Sequence, residues 1–469
     1  MNRKYILIGL LVCITGIFSG CHSWLDVQPE DQVTDGQLFS TESGFRTALN
    51  GIYVELSNNA LYGGELSVDA VEILAQRYDF SGNTTNAYRL GTYNYTIDYA
   101  KSKFAAVWEK AYSLIANCNK LLEYAEKNEE VLTGKMRKMI IGEAMALRAF
   151  LHFDMLRLFG PVYATNKADL SIPYNTVYSI SATSLLPATQ VVEKVLKDLD
   201  EAERLLGESD PIIEEGPQNQ DSEDGLNYYT YRTQRLNYYA VKALMARVYL
   251  WAGQTPKAGN IANELIAHPL LGTNRILFRL YSDKITTMSD DYFTVNSENN
   301  LQLSLSQNQR KEFYETEKYE SSDNRIPSWL ILNPNTIESD ANTGRYFVSK
   351  YSQNGPMNQG IPLLRMTEIQ YICAECQAEP AKGLDYLNTV RHEYGIPAAF
   401  DLTKENCVFE EELFKEYRKS FLAEGQLFFF LKRKDYTDIP GALNIENPRK
   451  IFCFPLPDDE KEFGNLITK

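Results

Sequence analysis

The sequence predicts a mainly α protein, a tetratricopeptide-like scaffold of paired helices carrying long loops and a few short strands. Three observations lead there. Apolar residues recur at helical spacing in long segments throughout the chain. Two helix-turn-helix pairs place small residues where the helices would touch. Between about 270 and 360 the period disappears into Asn, Ser, Asp and Tyr with short apolar stretches such as Leu301 to Leu305.

The chain opens with Arg3 and Lys4, an apolar run from Tyr5 to Phe18, and then Ser19, Gly20 and Cys21. This is the layout of a secretory signal over residues 1–20, and the run falls short of the ~20 residues that cross a bilayer. Small residues directly before a cysteine resemble a bacterial lipobox, although Phe18 stands where Leu is usual. Cys21 is therefore expected to be the first mature residue and to carry the lipid, with more than one acyl chain giving a stable anchor.

The mature chain divides into two regions, 21–235 and 236–469. From a cap at Thr41, the set Phe45, Ala48, Leu49, Ile52, Tyr53 and Leu56 predicts a helix over 42–57. Phe104, Val107, Trp108, Ala111, Leu114, Ile115 and Cys118 predict a second over about 103–127. A third, over about 134–158, stops at Phe159-Gly160-Pro161, and a fourth over 187–206 starts from Pro187 in its first turn. Residues 207–234, rich in Gly, Asp, Glu, Asn and Gln, are expected to form a long exposed loop.

Repeat architecture is clearest from 237 to 267. Ala240, Ala243, Ala246 and Tyr249 share one helix face, Gly253 ends that helix, and a second runs from Pro256 with Ala258 early in it. Residues 363–377 and 380–394 predict another pair, with Ala374 and Ala381 at the contact, and about 408–433 a further one.

Composition narrows the function. Hydrophobic residues at 44% and charged residues at 23% fit a globular chain. The formal net charge of -15 and pI near 5.0 repel nucleic-acid phosphates, so nucleic acid is not an expected partner. Thirty Tyr, 22 Phe and 4 Trp make 12% of the chain, an aromatic excess suited to a recognition surface.

Catalytic and metal motifs are missing from this reading. The four His residues show no metal-ligand spacing, and His152, between Leu151 and Phe153 in a helix, is expected to be structural. No G-x-S-x-G, P-loop or G-x-G-x-x-G occurs in the mature chain. Acid runs such as Glu214-Glu215 and Glu410 to Glu412 are expected to be solvated faces. Asp340-x-Asn342-x-Gly344 opens like a calcium loop, but Tyr351 stands where the closing Glu belongs, so no metal is expected. Cys373-x-x-Cys376 lies in an apolar helical run with no partner pair, and Cys118, Cys407 and Cys453 complete no disulfide framework; all read as buried or isolated thiols. No cofactor is indicated.

Taken in order, the motifs resemble the SusD/RagB family of outer-membrane nutrient-binding lipoproteins along the whole mature chain. Trp24-Leu25-Asp26-Val27-Gln28-Pro29 after Cys21 is similar to the family's start, and Ala48-Leu49-Asn50-Gly51-Ile52-Tyr53 to its first helix. Glu143-Ala144 with Leu147-Arg148-Ala149-Phe150, closing at Phe159-Gly160, and Ala243 to Leu250 resemble two further helices. Pro362 to Arg365 with Glu368 and Ala374-Glu375, then Leu387-Asn388 with Val390-Arg391, and finally Phe454-Pro455-Leu456-Pro457 with Glu460 and Asn465 continue the likeness. One departure is the stretch Glu416 to Arg433. Where relatives carry a ladder of Arg, Glu and Asp, this chain has Tyr417, Ser420, Leu427 and Phe430, which leaves open what that network orients here.

The resemblance implies a non-enzymatic, surface-exposed outer-membrane lipoprotein that binds a glycan and passes it to a SusC-like TonB-dependent transporter. The competing readings are a surface glycoside hydrolase, which would need two facing carboxylates, and a structural or fimbrial-type surface protein, which would be strand-rich. Starch, host glycan, plant polysaccharide and peptide all stay open as ligands. Sugars offer flat C–H faces rimmed by hydroxyls, so their sites need exposed rings beside amide, guanidinium or carboxylate groups. Two loop regions have that mixture: Arg77, Tyr78, Tyr93, Asn94 and Tyr95, near Asp69, and then Tyr281, Tyr292 and Trp329, near Tyr346. In relatives a stretch comparable to the first contributes an Arg and an aromatic to sugar contacts. Pro327 and Ser328 predict an exposed turn at Trp329.

Overall fold

The structure is a computed structural model that describes residues 33–80, 85–218, 220–221, 227–271, 276–294, 303–333, 344–442 and 448–464. The expected lipidation site Cys21 lies outside them, as do Asp340 and Asn342.

Helix α1, Glu42–Leu56, starts where Thr41 accepts the Gly44 amide at 3.1 Å, and it buries Phe45, Leu49, Ile52, Tyr53 and Leu56 along one stripe. Helix α2, Asp98–Lys127, begins a turn earlier than the apolar period indicates, because Ala100 extends the buried stripe and Asp98 sits against the positive end of the helix dipole. Helix α3, Gly134–Phe159, is buried on nearly every side from Gly142 onward, since α2 packs on one flank and α4, Ala188–Gly207, on the other. Extended backbone at Gly160 followed by Pro161 stops it.

From α3 onward the helices stack as antiparallel pairs. Tyr238–Trp251 (α5) pairs with Thr255–Ala267 (α6), and Met366–Glu375 (α7) with Pro380–Glu393 (α8); α4 rests on α5, and α6 on α7. Phe409–Ser420 (α9), against α8, and Gln426–Arg433 (α10) close the series. Ala240, Ala243, Ala246, Ala258 and Ala374 are buried as the small-residue pattern predicts, but Ala381, expected at the contact, is exposed, and glycines make the close approaches. A Cβ added to Gly259 would lie 2.8 Å from that of Cys376, and one on Gly383 would lie 2.7 Å from the Ala374 carbonyl oxygen. Cys373 and Cys376 are thus packing groups between repeats, not bridged to each other, and burial pushes their thiols up to about 12 and about 11. At such values the thiolate that redox or metal chemistry needs is scarce.

Two expectations are corrected. Residues 361–365, read as the start of a helix from 363, form strand β7 (Ile361–Arg365), antiparallel to β3 (Ile276–Leu280), and α7 begins only at Met366. The pairing is decided by a strand more than eighty residues earlier, which no local period reveals. The segment 207–234 is no free loop either, since Arg232 is fully buried and donates to Glu143 of α3 at 2.6 Å and to Asp210 at 2.8 and 2.9 Å. The other strands are small antiparallel sheets, β1 (Leu170–Ile172) with β2 (Leu186–Pro187), and β4 (Leu305–Ser306), β6 (Arg345–Val348) and β5 (Leu330–Leu332). Among the described residues no helix is long and apolar enough to cross a membrane.

Candidate functional site

Four of the expected ligand residues prove to be core. Arg77 is fully buried; its Nε donates to Glu72 at 3.3 Å, its guanidinium lies 5.3 Å from the Phe313 ring, and Glu72 in turn accepts the amides of Ala423 and Gly425. Tyr78 is buried with its hydroxyl donating to the Val68 carbonyl at 2.9 Å, and Tyr292 with its hydroxyl on Asn59 Oδ1 at 2.8 Å. Trp329, expected on an exposed turn, is only 4% exposed. It closes the short helix Arg325–Trp329, its ring lying 4.2 Å beneath the Lys350 ammonium and edge-on to Tyr394. These rings and this guanidinium have partners inside the body and present no open face, although Arg77 Nη1 is buried without a hydrogen bond among the described residues.

The rest of the first loop is intermediate. Asp69 is buried and shares the Lys103 ammonium with Glu65, at 2.6 and 2.5 Å; burial and the neighbouring Asp69 charge push the Glu65 carboxyl up to about 8. Tyr93 is half-buried, donating to the Leu74 carbonyl and accepting from Gln76. Tyr95, also half-buried, donates to the Ile451 carbonyl and meets Phe104 edge-on. Asn94 is exposed, with Oδ1 accepting from the amide and hydroxyl of Thr96. Tyr346 is half-buried below the Arg310 guanidinium. Among the expected aromatics only Tyr281 stands well out, at 57% exposure.

Tyr281 lies on a groove of about 770 Å³ that the sequence reading did not find. One wall is the outer stripe of α1, with Arg46, Thr47, Asn50 and Val54 at helical spacing opposite its core face. The facing wall is the segment 227–235, with Tyr228, Tyr231, Gln234 and Arg235; Tyr53, Leu280 and Tyr281 complete the lining. This second wall is held by charge. Beside the buried Arg232, Arg235 donates to Glu143 at 3.4 Å and to Asn50 Oδ1 across the groove, while its guanidinium lies 4.5 Å from the Tyr228 ring and 5.3 Å from Tyr53. Tyr53 ties wall to floor by donating to Glu143 at 2.9 Å and accepting the Leu236 amide at 2.9 Å.

Asn227 and Tyr231 on the same wall both have left-handed backbone, φ 37° and 46°. For a bulky side chain such backbone costs ~1–3 kcal/mol and persists where the surroundings impose it, commonly at ligand sites. Asp221, the one carboxylate among the described lining residues, accepts from Asn227 Nδ2 at 2.9 Å and from the Tyr231 hydroxyl at 3.1 Å. Rings, amides and guanidinium groups converge here in the mixture that sugars require. No group of three metal-ligating side chains occurs among the described residues. The sequence reading passed over the one signal that could have found it, the Tyr228, Tyr229 and Tyr231 cluster inside an otherwise polar loop.

Comparison with known proteins follows the fold. Residues 23–218 match a family model described as starch-binding, associating with the outer membrane, and residues 279–447 match that of the SusD family. Among curated relatives, SusD-like protein P38 of Formosa agariphila is 28% identical over 208 residues, 43% of this chain, and SusD-like protein P2 of the same organism is 23% identical over 206 residues, 44% of this chain. Either match spans 38% of the relative's length. A SusD superfamily protein from Bacteroides thetaiotaomicron superposes with a TM-score of 0.70 at 20% identity, covering 91% of this chain and 99% of that one. A SusD-like carbohydrate binding protein from Bacteroides vulgatus superposes with 0.67 at 17% identity, covering 91% and 97%. At these identities the solved structures establish the common fold.

Proposed function

The chain belongs to the SusD/RagB family, and from that premise we propose that it is a glycan-binding lipoprotein of the outer-membrane surface that hands its ligand to a SusC-like TonB-dependent transporter. The observation that carries the reading is the α1 groove, whose exposed Tyr281 and half-exposed Tyr231 offer faces for sugar rings beside Asn50, Gln234 and Arg235, while Tyr53 and Tyr228 are buried beneath them. Asn94, Tyr93 and Tyr95, in the stretch where the family resemblance implies sugar contacts, are assigned to a second part of the ligand surface.

Binding without turnover is the expected mode. Hydrolysis of a glycosidic bond uses two carboxylates flanking it, and Asp221 is the single described carboxylate on the groove. A modest affinity suffices for such a carrier, since a millimolar site is worth about -4 kcal/mol and tethering beside a transporter raises the effective concentration for transfer.

A polysaccharide panel against the detergent-solubilised protein tests this reading. The expected result is retention by at least one glycan with no release of reducing ends, and fatty-acid label that enters the protein through Cys21 and is lost in Cys21→Ala. Turnover abolished by Asp221→Asn would instead make the protein a glycoside hydrolase.

A further inference from the structure

We infer that the α1 groove selects an acidic glycan, one whose uronic carboxylate or sulfate docks on Arg46; the inference rests on the glycan reading of the same groove. Every other charged group at this place is committed. Arg232 is held by Glu143 and Asp210, Arg235 by Glu143 and Asn50, and Asp221 by the donors of Asn227 and Tyr231. Arg46 lines the same groove, half-buried, and makes no hydrogen bond or ion pair with any described residue.

The contrast is chemical as well as numerical. A guanidinium presents a planar fork of donors that matches a carboxylate or sulfate two bonds at a time, and the partial burial of Arg46 in the groove reduces the competition from water. Arg46 belongs to a chain with net charge -15, so bulk electrostatics do not concentrate anions on this protein. An acidic sugar must therefore be drawn by a local, specific contact, and among the described lining residues Arg46 is the uncommitted cation for it. The neighbouring amides of Asn50 and Gln234 are placed for the hydroxyls of the same ligand.

The experiment compares matched probes on the full protein: oligogalacturonides against their methyl esters, and chondroitin sulfate against its desulfated form, with wild type and Arg46→Gln. The expected result is an acidic member bound about tenfold more tightly than its neutral counterpart, a preference lost in Arg46→Gln and weakened between 0.15 and 0.5 M salt, on the scale of one charge-assisted hydrogen bond. Arg46 makes no hydrogen bond or ion pair with any described residue, so the variant is expected to keep its melting temperature. Equal binding of acidic and neutral members, or acidic binding untouched by Arg46→Gln, overturns the inference and leaves the glycan reading standing. Binding of poly-glutamate in place of every sugar overturns the glycan reading itself.

Discussion

The buried charge network behind α9 and α10 and the open groove against α1 are built from the same residue types, Arg, Tyr, Asn and acids, with opposite outcomes. In the network Glu416 receives Arg325 at 2.9 Å, Lys419 at 3.0 Å and Arg391 at 3.5 Å, Glu424 receives Lys350 and Arg365, and Ser420 Oγ accepts from Arg325 at 2.9 Å. Its charges are paired and its rings are covered. In the groove, Tyr281 is exposed, Tyr231 is half-exposed, and the Arg46 guanidinium makes no hydrogen bond or ion pair with any described residue. A polar aromatic cluster is thus a site only where its valences are left over after folding, and the sequence alone does not record what is left over.

The largest way to test that contrast is to break the network. Burial by itself would raise the Glu416 carboxyl, but Arg325, Lys419 and Arg391 outweigh it and hold the group well below the usual range. Glu416→Ala strands three buried cations and is expected to cost ~3–5 kcal/mol in urea unfolding. A loss below 1 kcal/mol would show that water enters this network and that it is no more saturated than the groove.

The same network shows what could be read in advance. Helices were legible because a stripe such as Phe45, Leu49, Ile52 and Leu56 is a local pattern. The departure at Glu416 to Arg433 was legible too, but not its resolution: the Tyr417 ring packs tilted against Phe430, centroids 4.4 Å apart, while Arg325, Lys350, Arg365 and Arg391 bring the charge from other elements. Trp329 misled for a related reason, since Pro327-Ser328 before a ring reads as a turn and the Lys350 ammonium that covers it comes from a later stretch of the chain. The groove joins α1, residues 227–235 and Tyr281, and the Arg232–Glu143 contact ties the second of these stretches to α3. Of its lining, only Tyr281 carried a signal strong enough to be named from sequence as a ligand residue.

A smaller test asks whether the interior is saturated in one protonation state only. His152, buried and stacked 3.9 Å from Tyr174, pairs through Nδ1 with the Arg148 carbonyl and through Nε2 with the Asn175 amide, a scheme that suits the neutral ring. Burial lowers it to about 3, below the value near 6.5 of an unfolded chain. Between those values the unfolded state binds the extra proton, so stability falls as pH drops through 6.5 toward 3, by about 2 kcal/mol from pH 7 to pH 5. Urea midpoints at the two pH values check this, and His152→Gln should remove that share of the loss. An equal loss in the variant would assign it to other groups.

The smallest effect on the fold belongs to Tyr281, and it is the sharpest separation of the two regions. Its ring is more than half exposed, so little packing is lost in Tyr281→Ala, and surface changes of this kind fall within about 0.5 kcal/mol of neutral. A stacked sugar loses one aromatic contact, ~0.5–1.5 kcal/mol, which is a few-fold to about tenfold in Kd. Trp329→Ala is the mirror experiment: a buried ring removed from between Lys350 and Tyr394 is expected to cost ~3–5 kcal/mol of stability. Once folded, that variant should bind glycan as the wild type does. The pair of substitutions is therefore expected to move melting temperature and affinity independently. If Tyr281→Ala lowered the melting temperature by as much as Trp329→Ala while glycan binding stayed intact, the ring would be part of the scaffold, and the ligand surface would have to be sought at Tyr93, Asn94 and Tyr95.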